Sequence, residues 1–242
     1  MSKVRDLKRG VWGLLERAPD LSSLYRGLEA FPPRKAVSPL IGAFCHREER
    51  VRWWAILGLG YVTARIAEED LEAARIVIRR LMWMLNEESG GMAWGAPEAL
   101  AECLYQHRGL AAEYTPILVS YLRPDGNLLE FPPAQRGVAW GIGRLAEKER
   151  ERLLAEEAPR YLLPVLDSSD LAAAGLAAWA LKRLGVVPEE KLPRLRELAF
   201  SDYTVHFFDG RELRNYRVGD LAREILEAAD GREPLSGDQG TP

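Results

Sequence analysis

Apolar residues recur at spacings of three and four along nearly the whole chain. Between residues 75 and 85 they fall at Ile76, Val77, Leu81, Met84 and Leu85, which is one face of a helix. Alanine, leucine, arginine and glutamate dominate, and all four are good helix formers. Strand-like alternation is nearly absent until residue 203. There, 203–208 and 211–216 flank Asp209-Gly210. An Asp-Gly pair between such runs favours a two-residue type I′ turn, because both central positions need positive φ. That register sets Tyr203 opposite Tyr216 as an aromatic cross-strand pair. The expectation is an all-α chain with one short β-hairpin near the C-terminus.

A longer period lies over the helical one. The segments Trp53–Gly60, Gly137–Leu145 and Ala177–Leu184 each carry small residues in the middle of an apolar helix, and 96–101 and 219–223 follow more loosely. Small side chains let helix axes approach closely, as stacked repeats require. With the register anchored on Gly58, Ala99, Gly141, Ala180 and Ala222, the steps are 41, 42, 39 and 42 residues. Each such helix follows a partner, at 36–46, 71–86, 114–123, 158–167 and 191–201. This is the signature of a two-helix solenoid.

On these residues the chain resembles HEAT repeats of the bacterial, phycobilisome-lyase-like type. The resemblance rests on Val51-Arg52 followed by Leu59-Gly60, and on 177–181 leading to Arg183-Leu184-Gly185, and covers about residues 34–230. It implies a right-handed α-α superhelix, and it is specific for architecture rather than for function. The expected organisation is one solenoid domain over 1–230. Residues 1–33 form an N-terminal cap, about five two-helix repeats start at 34, and 231–242 is a disordered tail.

In such a solenoid every turn from first to second helix lies along one edge. Two of these turns are minimal, at 47–50 and 168–170. Three are long, at 86–97, 124–133 and 201–216, and long loops in a compact repeat are often functional. Their polar residues Asn86, Glu87, Glu88, Asp125, Asn127 and Glu130 are candidate edge contacts. The hairpin in the third turn has two readings, a cover for the open end of the solenoid or part of a binding surface.

The repeat register also predicts a surface. The residues just before the anchors are Leu57, Glu98, Trp140, Trp179 and Leu221. One turn earlier lie Trp53, Trp94 and Arg136, and one turn later Glu102, Arg144 and Arg183. In HEAT repeats the pre-anchor position is often polar, so the resemblance implies an inward-facing groove. That groove carries Trp53, Trp94, Glu98, Arg136, Trp140, Arg144, Trp179 and Arg183. Trp and Arg are the side chains most enriched at binding hot spots. The alternative is that the tryptophans are ordinary inter-repeat core.

Composition narrows the chemistry. Of 242 residues, 33 are Lys or Arg and 36 are Asp or Glu, for a net charge of −3. That balance disfavours a dedicated nucleic-acid binder. Two cysteines are too few for a disulfide framework and suit a reducing compartment. No run of about eighteen apolar residues occurs, and no apolar stretch follows the charged N-terminus as a signal peptide needs. The expectation is therefore a cytoplasmic protein with no membrane association. Cys45 beside His46, with Cys103 and His107 one turn apart, could form zinc ligands only if the two pairs converged, and nothing else in the spacing supports a metal. Gly90-Gly91 lacks the Lys-Ser/Thr ending of a phosphate loop. No cofactor is expected. The sequence reads as a non-enzymatic interaction scaffold that binds a peptide or protein partner on its concave face and elaborated edge. The alternatives are a nucleic-acid-binding HEAT protein resembling alkylated-base DNA glycosylases and an accessory subunit of a cofactor-attaching lyase.

Overall fold

The computed structural model describes residues 2–86 and 94–231. Two helices, α1 (Ser2–Arg17) and α2 (Leu21–Leu28), precede five helix pairs. These are α3 (Pro33–Gly42) with α4 (Glu49–Glu69), α5 (Leu71–Asn86) with α6 (Ala96–Gln106), and α7 (Arg108–Ser120) with α8 (Pro132–Ala155). Then come α9 (Ala158–Leu166) with α10 (Leu171–Leu184), and α11 (Leu192–Leu198) with α12 (Val218–Asp230). The boundaries follow local chemistry. Asp170 accepts hydrogen bonds from the Ala172 and Ala173 N–H groups at the start of α10, and Gly185 ends that helix at φ 67°. Pro132 and Pro133 open α8. None of the described helices is long and apolar enough to cross a membrane. The tail expected to be disordered lies, from residue 232 on, outside the described residues.

The second helices α4, α6, α8, α10 and α12 pack side by side as one layer, and each also packs on its own partner. The small residues read from the sequence sit where these helices meet. A Cβ on Gly141 would lie 2.5 Å from the Ala101 Cβ, and one on Gly60 would lie 2.9 Å from the Glu102 carbonyl carbon. Gly60→Ala should therefore force the α4–α6 contact apart, at a cost of about 1–3 kcal/mol. Gly42→Ala is the control, because its Cβ would meet only the Trp12 ring at 3.9 Å. Denaturant midpoints of the two variants that fell by equal amounts would contradict this account of the packing.

The hairpin departs from the sequence expectation in register. Strands β1 (Thr204–Phe208) and β2 (Leu213–Arg217) pair antiparallel, with Val205 opposite Tyr216 and Phe208 opposite Leu213. The turn is thus four residues, 209–212, and Tyr203 does not face Tyr216. The reason lies in Asp209. Its carboxylate Oδ1 accepts the N–H groups of Arg211 and Glu212 at 2.7 and 2.9 Å, and its own N–H donates to the Glu212 carbonyl. A side-chain turn of this kind competes with the two-residue turn.

The hairpin's position matters more than its register. β1 folds back over the layer of second helices. The Trp140 indole N–H of α8 donates to the Phe208 carbonyl at 2.7 Å. Trp179 of α10 meets Phe207 edge-on at 5.1 Å. His206 Nδ1 lies 3.0 Å from Glu49 Oε2 at the start of α4. A strand inserted in the last repeat therefore reaches the first.

Candidate functional site: a cleft where three long turns meet

The fold-back leaves one cleft open beside β1, with a volume of about 290 Å³. The N-terminal halves of α4, α6, α8 and α10 form its floor. Each of the three long turns adds an aromatic group to the wall: Trp94 from the first, Phe131 from the second, and Tyr203 and Phe207 from the third. The Trp94 and Phe131 rings meet edge-on at 6.5 Å. Trp53 and Trp140 form an edge-on pair at 4.9 Å beneath them. Trp94, at 51% exposure, is the open part of this wall, whereas Trp140 is sealed at 1%.

Glu98, in the first turn of α6, is set among these rings. It is half-buried as a residue, but its Oε2 has no solvent contact and no hydrogen-bond partner. The carboxylate fits because Gly137 of α8 has no side chain: a Cβ there would lie 2.6 Å from Oε2. Burial pushes the Glu98 carboxyl up to about 7 from an ordinary 4.5, and only its own backbone N–H opposes the shift. No cation of the described residues compensates it. Arg136 also lines the cleft, but it forms an ion pair with Asp170 at 2.6 Å. Arg52 donates to the backbone carbonyls of His46 and Arg47 and comes no nearer to Glu49 than 3.9 Å. His206 stands at ion-pair distance from Glu49 without the alignment of a hydrogen bond.

The raised carboxyl has a consequence for stability. Between about pH 4.5 and 7 the folded chain holds the Glu98 proton more tightly than the unfolded chain does. Stability therefore falls as pH rises through that window, by up to about 3 kcal/mol for the full shift. Glu98→Gln removes this loss. The variant should match the parent near pH 4 and exceed it near pH 8 in denaturant unfolding. An advantage of the same size at both pH values would show that the carboxyl is not the source.

Of the residues that the repeat register proposed for the groove, Trp53, Trp94, Glu98, Arg136 and Trp140 line this cleft. The other three do not. Arg144 is 3% exposed and ion-paired to the buried Glu102 at 2.9 Å. Trp179 is 6% exposed beneath Phe207. Arg183 leans over Trp179 and pairs with Glu147 at 2.8 Å. All three were expected on an open face, and the hairpin crosses that face: a Cβ on Gly210 would come within 3.2 Å of the Arg144 guanidinium and 3.9 Å of that of Arg183.

The polar edge residues organise the loops rather than the cleft. Asp125 pairs with Arg123 at 2.9 Å, and Asn127 donates to Ser120 Oγ at 2.8 Å. Glu130 is exposed, and so is Asn86 at the end of α5, neither of them on the cleft. Glu87, Glu88 and Gly90-Gly91 lie outside the described residues. Sequence reasoning missed Phe44, Glu49, Arg52, Phe131 and His206. Phe131 alone carried a signal, as the aromatic residue of a long turn just ahead of the Pro132-Pro133 helix start.

The cysteine–histidine pairs do not converge with one another. His107 Nδ1 accepts the Leu110 N–H and so caps α7, and His46 Nδ1 accepts the Glu48 N–H. Cys45 is exposed, whereas Cys103 is buried, which pushes its thiol up to about 12. No group of three or more His, Cys, Asp or Glu side chains among the described residues is placed to hold a metal ion.

Stacked helix pairs with a ligand-sized cleft across the second helices define a repeat-solenoid protein, and the comparisons agree. Residues 132–184 match the HEAT-like repeat. A protein of Archaeoglobus fulgidus described as uncharacterised is 30% identical over 200 residues, which is 83% of this chain and 98% of that protein. The chain belongs to the family of that protein, and its fold is the HEAT-repeat solenoid. A designed armadillo repeat protein superposes with a TM-score of 0.54 at 19% identity, covering 94% of this chain and 92% of the other. A second, solved in complex with peptide (KR)4, gives 0.55 at 19% identity over 94% and 91%. Nothing in these matches singles out the phycobilisome-lyase-like branch.

Proposed function

We infer that this chain is a binding scaffold that holds an extended segment of a protein partner in the cleft beside β1. One observation carries the reading. Three turns that are long where the repeat needs only a few residues all send aromatic groups into the same cleft, and packing between repeats does not require that convergence. The designed armadillo repeat protein in complex with peptide (KR)4 supports the reading, as a similar fold holding a peptide. The protein acts inside the cell, without a cofactor, and the partner rather than the solenoid carries any chemistry. A nucleic-acid role is less favoured, because Glu49, Glu98 and Asp170 stand at or beside the cleft, where phosphates would need cations.

The test is selection from a random peptide display library on the purified chain, with Trp94→Ala as the counter-screen. Peptides retained by the parent should bind the variant more weakly by about 2 kcal/mol or more, the loss typical of a hot-spot aromatic. Because Trp94 is half exposed, its thermal midpoint should stay within a degree or two of the parent. A library yielding no peptide that prefers the parent over Trp94→Ala would sink the reading.

A further inference from the structure

We propose that the group seated in this cleft is an organic cation, the side chain of a lysine or arginine in the bound peptide, held between the aromatic walls and the Glu98 carboxylate. The inference rests on the peptide reading above and names its anchor. The exposed rings Trp94, Phe131 and Tyr203 present negative faces and apolar area, which attract ammonium and guanidinium groups more than anions. A neutral apolar side chain would also fit such walls, so the discriminating feature is Glu98. A carboxylate with one oxygen buried and unpartnered has no packing function that glutamine or leucine would not serve as well. It acquires one when a donor with a positive charge arrives.

The other charges at the cleft do not fill that role. Arg136 is neutralised by Asp170, and Arg52 is directed to backbone carbonyls. Glu49 stands opposite His206 and adds a second carboxylate at the rim. The charge of the cleft therefore complements a positive group. The cleft also has room for one long side chain rather than for a folded surface. Glu98 must be ionised to act, and its raised carboxyl makes the affinity depend on pH near neutrality. The other titratable groups lining the cleft are Glu49 and Arg52 of α4, Arg136 of α8, Tyr203 ahead of β1 and His206 within it, with Asp170 paired to Arg136. Binding should strengthen as pH rises from 6 to 8, because ionised Glu98 is the competent form.

The experiment titrates the full chain with a fluorescent eight-residue peptide of alternating lysine and arginine. A neutral peptide of alternating glutamine and serine, and a DNA duplex carrying a cationic N-alkylated purine, are titrated in parallel. The basic peptide should bind the parent. Its affinity should drop at least tenfold in Glu98→Gln and in Trp94→Ala, and the loss should persist at 0.5 M salt. Glu72→Gln on α5 removes an exposed carboxylate that does not line the cleft and should change nothing. The rise in affinity between pH 6 and 8 should be flatter in Glu98→Gln. Equal affinity of the parent and Glu98→Gln for the basic peptide would overturn the proposal. A neutral peptide that binds as tightly, and is lost in Trp94→Ala, would overturn the cation while leaving peptide binding intact. Failure of every peptide, including those from the display library, would overturn both. Tight binding of the alkylated duplex alone, lost in Glu98→Gln, would pass the cleft to a nucleic-acid partner.

Discussion

Trp140→Ala should lower the stability of the folded chain by about 3–5 kcal/mol, the usual cost of emptying a buried aromatic site. Trp140 is 1% exposed, packs edge-on against Trp53 at 4.9 Å, and anchors β1 through its indole N–H to the Phe208 carbonyl at 2.7 Å. Deleting the indole removes all of these contacts and leaves that carbonyl without its donor, which adds to the cost unless water replaces it. Against a total stability on the order of 5–15 kcal/mol, such a loss is large. Trp94→Ala, at 51% exposure, is the contrast and should stay within about 0.5 kcal/mol. Denaturant unfolding of both variants gives the comparison. If Trp140→Ala kept the parent midpoint while losing the peptide, Trp140 would be binding surface and not the seat of the hairpin.

That contrast shows what the sequence made legible. The 3.6-residue period located helices such as α5, expected at 71–86 and found at Leu71–Asn86. The forty-residue step found the small residues that let second helices touch, Gly141 against Ala101 among them. The same step put Trp53, Trp94 and Arg136 in one row, and all three line the cleft. A periodic pattern encodes which face of a helix points inward. It does not encode what lies over that face. The fold-back of the hairpin depends on contacts such as Trp140 with Phe208 and Glu49 with His206, which are far apart in sequence and follow no period. Arg144 and Trp179 were therefore placed on the correct layer, but were expected on its open surface. Glu98 illustrates the same limit. Its position was readable, but its isolation depends on the missing side chain of Gly137, a repeat away. The turn chemistry of Asp209 was local and still ambiguous, because Asp-Gly serves a two-residue turn and a four-residue one alike.

Arg144→Met should cost about 3–5 kcal/mol, because it strands a charge in the core. Glu102 has no exposed side-chain surface, and Arg144 meets it with two nitrogens, Nε at 2.9 Å and a terminal nitrogen at 3.3 Å. The guanidinium also lies over the Tyr105 ring, 3.3 Å from its centre. Gln106 donates to the same carboxylate at 2.7 Å and to the Tyr25 hydroxyl at 3.2 Å. The network thus ties α2 of the N-terminal pair to α6 and α8. An ion pair so deeply placed is not by itself evidence of net stabilisation, since desolvating both charges offsets much of their attraction. The prediction concerns the two halves separately. Arg144→Met leaves Glu102 uncompensated, and the loss should appear in full. Glu102→Gln in the Arg144→Met background removes the stranded charge and should recover at least half of it. Unfolding of the single and double variants closes the cycle, with a coupling of about 1.5 kcal/mol or more expected for groups in direct contact. Strictly additive losses would mean that the pair is an incidental neighbour and that the N-terminal helices are held on by apolar packing alone.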